Sequence, residues 1–156
     1  MRDTKDNYIV PEIKVSYKPA KHPVTINGSR MANEIFQQVW DRSLLHIQEQ
    51  FYVLFLNQAN EVLCWRLIGT GNGKSCIVDK KLLGAIVCKT LTQNVILAHN
   101  HPSGDLKPSK TDKRLTWDIQ AMLRLFEVKV LDHLIITEDD YFSFVDGKII
   151  YSPQYP

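Results

Sequence analysis

The sequence predicts one α/β domain of three layers, in which helices cover both faces of a mixed sheet. Helix-spaced apolar residues alternate with short apolar runs along the chain, which is typical of helices interleaved with strands. The 156 residues are the length of one ordinary domain. Because 44% of them are apolar and 23% are charged, the chain can bury a core of its own.

Composition also excludes several classes of protein. No apolar run approaches the ~20 residues of a membrane helix, and the opening residues MRDTKDNY lack a secretory signal. The three cysteines (Cys64, Cys76 and Cys88) are scattered without a CxxC pair, which favours a reducing compartment. The net charge of +2 gives no argument for a nucleic-acid tail or an acidic ligand. We therefore expect a cytoplasmic protein with no membrane partner.

The chain begins with an expected extended arm over residues 1–28. Its apolar residues alternate loosely from Ile9 to Tyr17, and prolines and Gly28 then interrupt the pattern. The folded domain is expected to span residues 29–156. Its first helix would begin at a Ser29 cap and bury a face that ends at Trp40.

A hairpin and a second helix follow. The continuous apolar run Phe51–Leu56 indicates a strand that is buried on both faces. A turn at residues 57–60 leads to a return strand over Val62–Ile68, and the glycine-rich residues 69–73 are expected to end it. The second helix is predicted from Asp79 to Thr92, with Leu91 on its buried face.

The last elements are a strand, a helix and a second hairpin. The strand is Asn94–Ala98, and the third helix begins at Ser109. The hairpin joins Val128–Thr137 to Tyr141–Val145. Five apolar residues define the buried face of the third helix: Leu115, Ile119, Met122, Leu123 and Phe126.

One segment carries the residues of a candidate metal site. His99 and His101 are two apart at the end of a strand, so both imidazoles can face the same point. Asp112 falls within the buried stripe of the third helix at about 100° per residue, and a buried carboxylate needs a partner. Catalytic zinc keeps three protein ligands and one open position for a water, whose pKa it lowers to about 7.

Two further roles are left open by the spacing alone. Ser109 and Asp112 also have the spacing of a capping box, so each has a plain helix-capping interpretation. Ser109 lies one turn before Asp112 and could instead stabilise a developing oxyanion. Glu49 and Glu61 each open a strand of the first hairpin; Glu49 precedes the buried run and is either a general base or a solvated surface residue.

The combined pattern resembles the JAMM motif of MPN-type metallopeptidases: Glu49, then His99-x-His101, seven residues, Ser109, two residues and Asp112. A closer resemblance, over about residues 30–151, is to the bacterial RadC-like family. It rests on the residues EQF at 49–51, GT at 69–70, ILAHNHPSG at 96–104 and VLDHLI at 130–135.

This resemblance implies the MPN, or cytidine-deaminase-like, three-layer fold. It also implies one Zn²⁺ bound by His99, His101 and Asp112, with water as the fourth ligand. Glu49 would be the general base and proton shuttle, and Ser109 would stabilise the tetrahedral intermediate. The expected activity is hydrolysis of an amide or isopeptide bond in an unidentified peptide or protein substrate.

The alternative function is a non-catalytic module of the RadC-like family that binds protein or DNA, is linked to DNA repair, and holds a structural or vestigial metal. Longer RadC-like proteins resemble this domain preceded by a helix-hairpin-helix segment, for which residues 1–28 are too short and too extended. This weakens a nucleic-acid role. The letters His99-Asn100-His101 also spell HNH, the name of a class of nucleases. The HxHxDH metallo-hydrolases share the HxH start, but they need Asp and His at the positions of Ser103 and Gly104.

Two other features have competing interpretations. The basic residues Lys107, Lys110, Lys113 and Arg114 are either a solvated helix start, a clamp for a substrate carboxylate or a phosphate contact. His133 lies in an apolar strand, where it is either a hydrogen-bonded core residue or a support for a metal ligand.

Overall fold

A computed structural model of the protein describes residues 20–71 and 76–150, together with residues 11, 16 and 18. The strands are β1 (Gln50–Leu56), β2 (Val62–Gly71), β3 (Cys76–Val78), β4 (Asn94–Asn100), β5 (Lys129–Ile136) and β6 (Tyr141–Ser143). The helices are α1 (Ser29–Val39), α2 (Lys80–Thr90) and α3 (Lys110–Arg124), and a short 3₁₀ turn spans Arg42–Leu44.

The strands form one mixed sheet in the order β3-β2-β1-β4-β5-β6. β4 and β5 are parallel because α3 crosses over between them, and the other described pairs are antiparallel. β1 and β4 lie at the centre, and every residue of both strands is buried. Their register pairs Phe51 with His99, so the start of β1 and the end of β4 meet at one edge of the sheet.

The helices lie on both faces of this sheet, which confirms the predicted three layers. α2 and α3 cover one face, and α1 covers the other. The core on the α2 and α3 side includes Phe51, Val53, Phe55, Leu83, Val87, Leu97, Ile119, Leu123, Ile135 and Phe144. The core on the α1 side includes Ala32, Phe36, Trp40, Leu45, Tyr52, Leu54, Ile96, Ala98 and Leu134.

The predicted Ser29 cap is wrong. Gly28 is the N-cap of α1, and Ser29 already belongs to the helix. The Ser29 hydroxyl donates a hydrogen bond to Asp146 Oδ2 at 2.6 Å instead. The Ser29 hydroxyl therefore bonds to Asp146, which is distant in the sequence, and does not cap α1.

The predicted end of the second strand at Gly69 is also wrong. β2 continues through Gly71 and pairs with β3, a strand that the sequence analysis missed. A Cβ at position 69 would overlap the backbone carbonyl of Ile77 in β3. Gly69 therefore permits the close approach of two strands and does not end β2.

Two apolar residues that were predicted to face the core are exposed. Leu91 is 77% exposed and has a φ of 51°, in the left-handed region, because it ends α2. Phe126 is 45% exposed and lies beyond the last residue of α3. In both cases the helix ends before the periodic pattern does, so the pattern no longer fixes the direction of the side chain.

The structure describes only the end of the predicted arm. Thr25 forms an isolated bridge with Glu61, and Ile26 is buried against the α1 side of the sheet. The predicted alternation between Ile9 and Tyr17 lies outside the described residues, and the domain boundary at residue 29 stays a prediction. All three cysteines are free. In the described part of the chain, no helix is both long and apolar enough to cross a membrane.

Candidate metal centre

Three potential metal ligands converge where β4 ends and α3 begins. His99 is the penultimate residue of β4, His101 follows the strand, and Asp112 is in the first turn of α3. The Nε2 atoms of the two histidines lie 2.9 Å apart. Asp112 Oδ1 lies 3.4 Å from His99 Nε2, and Asp112 Oδ2 lies 3.3 Å from His101 Nε2. Among the described residues, this is the one group of three or more His, Cys, Asp or Glu side chains suited to a metal ion.

The outer nitrogen of each imidazole is already engaged in a hydrogen bond. His101 Nδ1 lies 2.6 Å from the backbone carbonyl of Asp105. A carbonyl can only accept, so His101 carries a proton on Nδ1 and presents Nε2 to the cluster. His99 Nδ1 lies 2.7 Å from His133 Nε2, and its Nε2 also faces the cluster. Outer contacts of this kind orient metal-binding histidines.

The spacing of these ligand atoms fits a tetrahedral zinc ion. With ligand bonds of about 2.0–2.1 Å, neighbouring ligand atoms of a tetrahedral site lie about 3.3–3.4 Å apart. The carboxylate–imidazole distances of 3.4 and 3.3 Å are close to this value but involve different oxygens of Asp112, so binding through one oxygen needs a rotation of the carboxylate. The imidazole pair at 2.9 Å needs a small outward movement. Two imidazoles and one carboxylate are also a typical donor set of catalytic zinc.

The electrostatics of the cluster favour a positive charge among the three side chains. Burial opposes ionisation of Asp112, but hydrogen bonds from His101 and His99 outweigh it and hold the pKa of this carboxyl far below its usual range. The hydrogen bond with Asp112 raises the pKa of His101, against the effect of burial. Asp112 therefore remains ionised and stabilises a proton or a metal ion on its neighbours.

The capping box and the inward-facing carboxylate coexist at the start of α3. Ser109 Oγ accepts a hydrogen bond from the Asp112 backbone N–H at 3.0 Å, and Asp112 Oδ2 accepts one from the Ser109 N–H at 2.7 Å. The cap thus fixes the carboxylate that faces the histidines. It uses a lone pair of Ser109 Oγ and leaves the hydroxyl hydrogen for another acceptor.

Glu49 lies beside the same cluster. Extending the antiparallel register of β1 and β4 by two residues places Glu49 opposite His101, and its backbone carbonyl accepts a hydrogen bond from the Gly71 N–H. Burial raises the pKa of Glu49, while the charges of His99 and His101 lower it. Glu61 lies at the other end of this hairpin, bonded to Asn57. Of the two glutamates considered, Glu49 is the one near the candidate metal ligands.

Asn100 holds the segment that carries Glu49, a role that the sequence analysis missed. Its fully buried side chain accepts a hydrogen bond from the Gln50 N–H at 2.7 Å. It donates to the backbone carbonyls of Leu45 at 2.7 Å and Gln48 at 3.0 Å. The available sequence signal was an amide near the end of an apolar strand, where a buried polar side chain needs partners.

Cys76 also lies close to the metal ligands but is not one of the grouped side chains. Burial raises the pKa of its thiol to about 12, and the charges of Glu49 and Asp112 act in the same direction. A thiol with this pKa stays protonated at neutral pH, and metals bind the thiolate. Cys76 therefore does not compete with His99, His101 and Asp112 in the metal-free protein.

The basic cluster lies mostly on the outer side of α3. Lys110, Lys113 and Arg114 surround an open cavity of about 550 Å³ together with Trp117, which is 55% exposed. Trp117 and Arg114 are rotated by about 140° and 200° from the buried Asp112 around the helix axis. This placement favours the solvated helix start over a clamp that lines the metal centre.

The fold and the site together define a domain of the JAB, or MPN, type: a mixed sheet with helices on both faces and a His-His-Asp cluster at one edge. The model of the RadC-like JAB domain matches residues 26–149. The chain belongs to the RadC-like JAB domain family.

Relatives in bacteria support this assignment. The chain is similar to a "UPF0758 protein" of Flavobacterium johnsoniae, at 45% identity over 101 residues that cover 65% of this chain and 44% of the relative. A second, from Chlorobaculum parvum, is 32% identical over 119 residues, covering 76% and 54%. A third, from Aquifex aeolicus, is 29% identical over 139 residues, covering 89% and 58%. The chain spans about half the length of these curated relatives.

Proposed function

We propose that this domain is a zinc-dependent hydrolase that cleaves an amide or isopeptide bond in a peptide or protein substrate. The observation that carries the proposal is the convergence of His99 Nε2, His101 Nε2 and the Asp112 carboxylate beside Glu49. His99, His101 and Asp112 would hold zinc, which would act as a Lewis acid on a carbonyl and lower the pKa of a water molecule to about 7.

Glu49 is proposed as the general base and then the general acid. Its carboxylate is half-buried beside His99, His101 and Asp112, and burial raises its pKa above the ordinary value. A base works best when its pKa lies near the working pH, because it must both take and return the proton. Glu49 would take a proton from the attacking water and deliver it to the leaving amine.

Ser109 is proposed as the hydrogen-bond donor to the oxygen on which negative charge develops. Its position is fixed by the capping box with Asp112, and the cap does not use the hydroxyl hydrogen. A donor that is already oriented before the reaction costs no reorganisation when charge develops. Ser103, Gly104 and Asp105, in the loop before α3, are exposed, which supports access by a polypeptide.

The experiment that tests this function is a measurement of metal content in the wild type and two variants. His99→Ala removes a proposed ligand, and His46→Ala removes an exposed imidazole that pairs with Glu138. We expect about one zinc per chain in the wild type and in His46→Ala, and loss of zinc in His99→Ala. Circular dichroism of each variant checks that the fold is kept.

The two results lead to different conclusions. Zinc that depends on His99 would justify a screen of peptide and isopeptide substrates, with Glu49→Gln as the inactive control. Absence of zinc from the wild type, even after Zn²⁺ is supplied, would refute the hydrolase mechanism. It would leave the non-catalytic module, which binds protein or DNA, as the function to test.

A further inference from the structure

A continuous chain of hydrogen bonds connects two of the proposed metal ligands through the protein interior. His99 Nδ1 lies 2.7 Å from His133 Nε2, and His133 Nδ1 lies 2.6 Å from Thr116 Oγ1. Thr116 Oγ1 donates a hydrogen bond to the backbone carbonyl of Asp112 at 2.7 Å. Thr116 and His133 are both fully buried, so water does not compete for these bonds.

The direction of each hydrogen bond in this network follows from its last acceptor, the backbone carbonyl of Asp112. The Asp112 carbonyl only accepts, so the Thr116 hydroxyl hydrogen is used there and Thr116 Oγ1 accepts from His133 Nδ1–H. The neutral His133 ring then has a lone pair on Nε2, which accepts from His99 Nδ1–H. His99 Nδ1 therefore carries a proton, and Nε2, the atom that faces His101 and Asp112, is the nitrogen that remains to bind a metal.

We propose that Thr116 and His133 are positioning residues of the metal centre, which fix the tautomer of His99 and tie its ring to the helical turn that carries Asp112. This inference rests on the proposed metal function. It assigns a role to two residues that lie outside the ligand set.

The surroundings of His133 support a single orientation of its ring. Phe144 stacks on it with ring centroids 4.5 Å apart, and Phe51 packs against it edge-on at 5.4 Å. These apolar rings offer no alternative hydrogen-bond partner for the imidazole nitrogens. A reversed tautomer would place two donors, or two acceptors, opposite each other within a buried chain, which is costly.

Removal of the Thr116 hydroxyl therefore weakens the binding of zinc without touching a ligand. Valine has nearly the same shape as threonine but cannot accept from His133 or donate to Asp112. Loss of an outer partner of a metal-binding histidine typically costs about 10- to 100-fold in metal affinity. Thr116 acts on His99 through His133, one hydrogen bond further out, so we expect a loss of about 10-fold in Thr116→Val, at the lower end of this range.

The test compares Zn²⁺ dissociation constants by competition with a chromophoric chelator at fixed pH. Thr116→Val lacks the hydroxyl, and Thr116→Ser retains it. Ile119→Val is the structural control, because it removes one buried methylene from the same helix and no polar group. If Thr116→Val does not fold, Thr116→Ala and Thr116→Ser form a second pair, which differs only by the hydroxyl oxygen.

The expected result is weaker zinc binding in the variant without the hydroxyl, and wild-type binding in Thr116→Ser and Ile119→Val. Equal affinities in all variants would overturn the positioning role while the metal centre stands. A wild type that binds no zinc would overturn the proposed function and this inference with it. Weakening in Ile119→Val equal to that in Thr116→Val would also overturn it, because the effect would then follow general destabilisation.

A second readout reports the tautomer directly. Nitrogen-15 NMR of the imidazole rings distinguishes a protonated Nδ1 from a protonated Nε2. We expect His133 to be protonated on Nδ1 in the wild type and in Thr116→Ser, and to lose this preference in Thr116→Val. A wild-type His133 protonated on Nε2 would refute the donor order on which the inference depends.

Discussion

Substitution of Asn100 by alanine is expected to lower the free energy of unfolding by about 3 kcal/mol. The side chain makes three buried hydrogen bonds of 2.7, 2.7 and 3.0 Å to the backbone of residues 45–50. Each contributes about 1 kcal/mol net, and the Gln50 N–H loses its acceptor inside the protein. At about 2–4 °C per kcal/mol for a chain of this size, the melting temperature should fall by about 6–12 °C.

Asn100→Asp is expected to make the free energy of unfolding depend on pH. The new carboxylate still accepts from the Gln50 N–H but turns an oxygen toward the carbonyls of Leu45 and Gln48. Burial and these carbonyls raise the pKa of the new carboxyl in the folded state above its unfolded value. A raised folded pKa contributes stability at low pH that is lost as the pH rises. Asn100→Asp should therefore lose stability relative to Asn100→Ala between pH 4 and pH 8.

Urea unfolding of the metal-free protein at several pH values measures both effects. Asn94→Ala is the matched control, because Asn94 makes two hydrogen bonds at the opposite end of β4. It should destabilise the fold without changing the Glu49 segment. Asn100→Ala should reduce turnover of a substrate with zinc still bound, whereas Asn94→Ala should leave turnover unchanged. A loss below 1 kcal/mol in Asn100→Ala, or parallel pH profiles for the two Asn100 variants, would refute the reasoning.

Three other predictions follow from the same site. Glu49→Gln should keep zinc and abolish turnover, and activity that survives in an assay of cleavage would show that Glu49 is not the base. Asp112→Ala should lose zinc, and full zinc occupancy in this variant would show that Asp112 is only a capping residue. Ser109→Ala should keep zinc and lose only about 1 kcal/mol of unfolding free energy, because it loses the helix cap. Zinc affinity should decrease as the pH falls through the raised pKa of His101, because the proton and the metal compete for Nε2. A flat affinity between pH 8 and pH 5 would contradict this competition.

The His101 shift also predicts the pH dependence of stability in the metal-free protein. Its hydrogen bond with Asp112 raises the folded-state pKa above the unfolded value. This pair therefore stabilises the fold below the unfolded pKa of histidine, and the contribution is lost as the pH rises through the folded pKa. Thermal unfolding of the zinc-free protein, compared with His101→Ala, measures the difference. Equal pH profiles for the two proteins would contradict the coupling.

The convergence of the three candidate ligands could be predicted because each side chain's direction depends on a local rule. Alternation along a strand puts His99 and His101 in phase, and helical periodicity turns Asp112 inward. The central strands were predicted for the same reason, since a run such as Phe51–Leu56 leaves no polar face. Interpretations that depended on local signals at the ends of elements failed, as at Ser29 and Leu91, where a tertiary contact or a helix end decided the outcome.

The partners of the supporting residues could not be predicted, because they are distant in the chain. Asn100 bonds to residues 50 to 55 positions away, and His133 bonds to residues 17 and 34 positions away. No spacing rule connects positions so far apart. β3 was missed for a different reason, because its three residues are too few to show alternation.

The polar residues at the two ends of β4 specify its register, which the apolar pattern alone does not determine. A one-residue shift would exchange the faces of His99 and Asn100 and separate the metal ligands from α3. The interior of the strand is apolar on both faces, so hydrophobic burial distinguishes poorly between the two registers. The asparagines at its ends do distinguish them: Asn94 donates to Asn57 and Asn60, and Asn100 bonds to the Leu45–Gln50 segment. Asn100 therefore helps to fix both the register of β4 and the position of the Glu49 segment beside the candidate ligands.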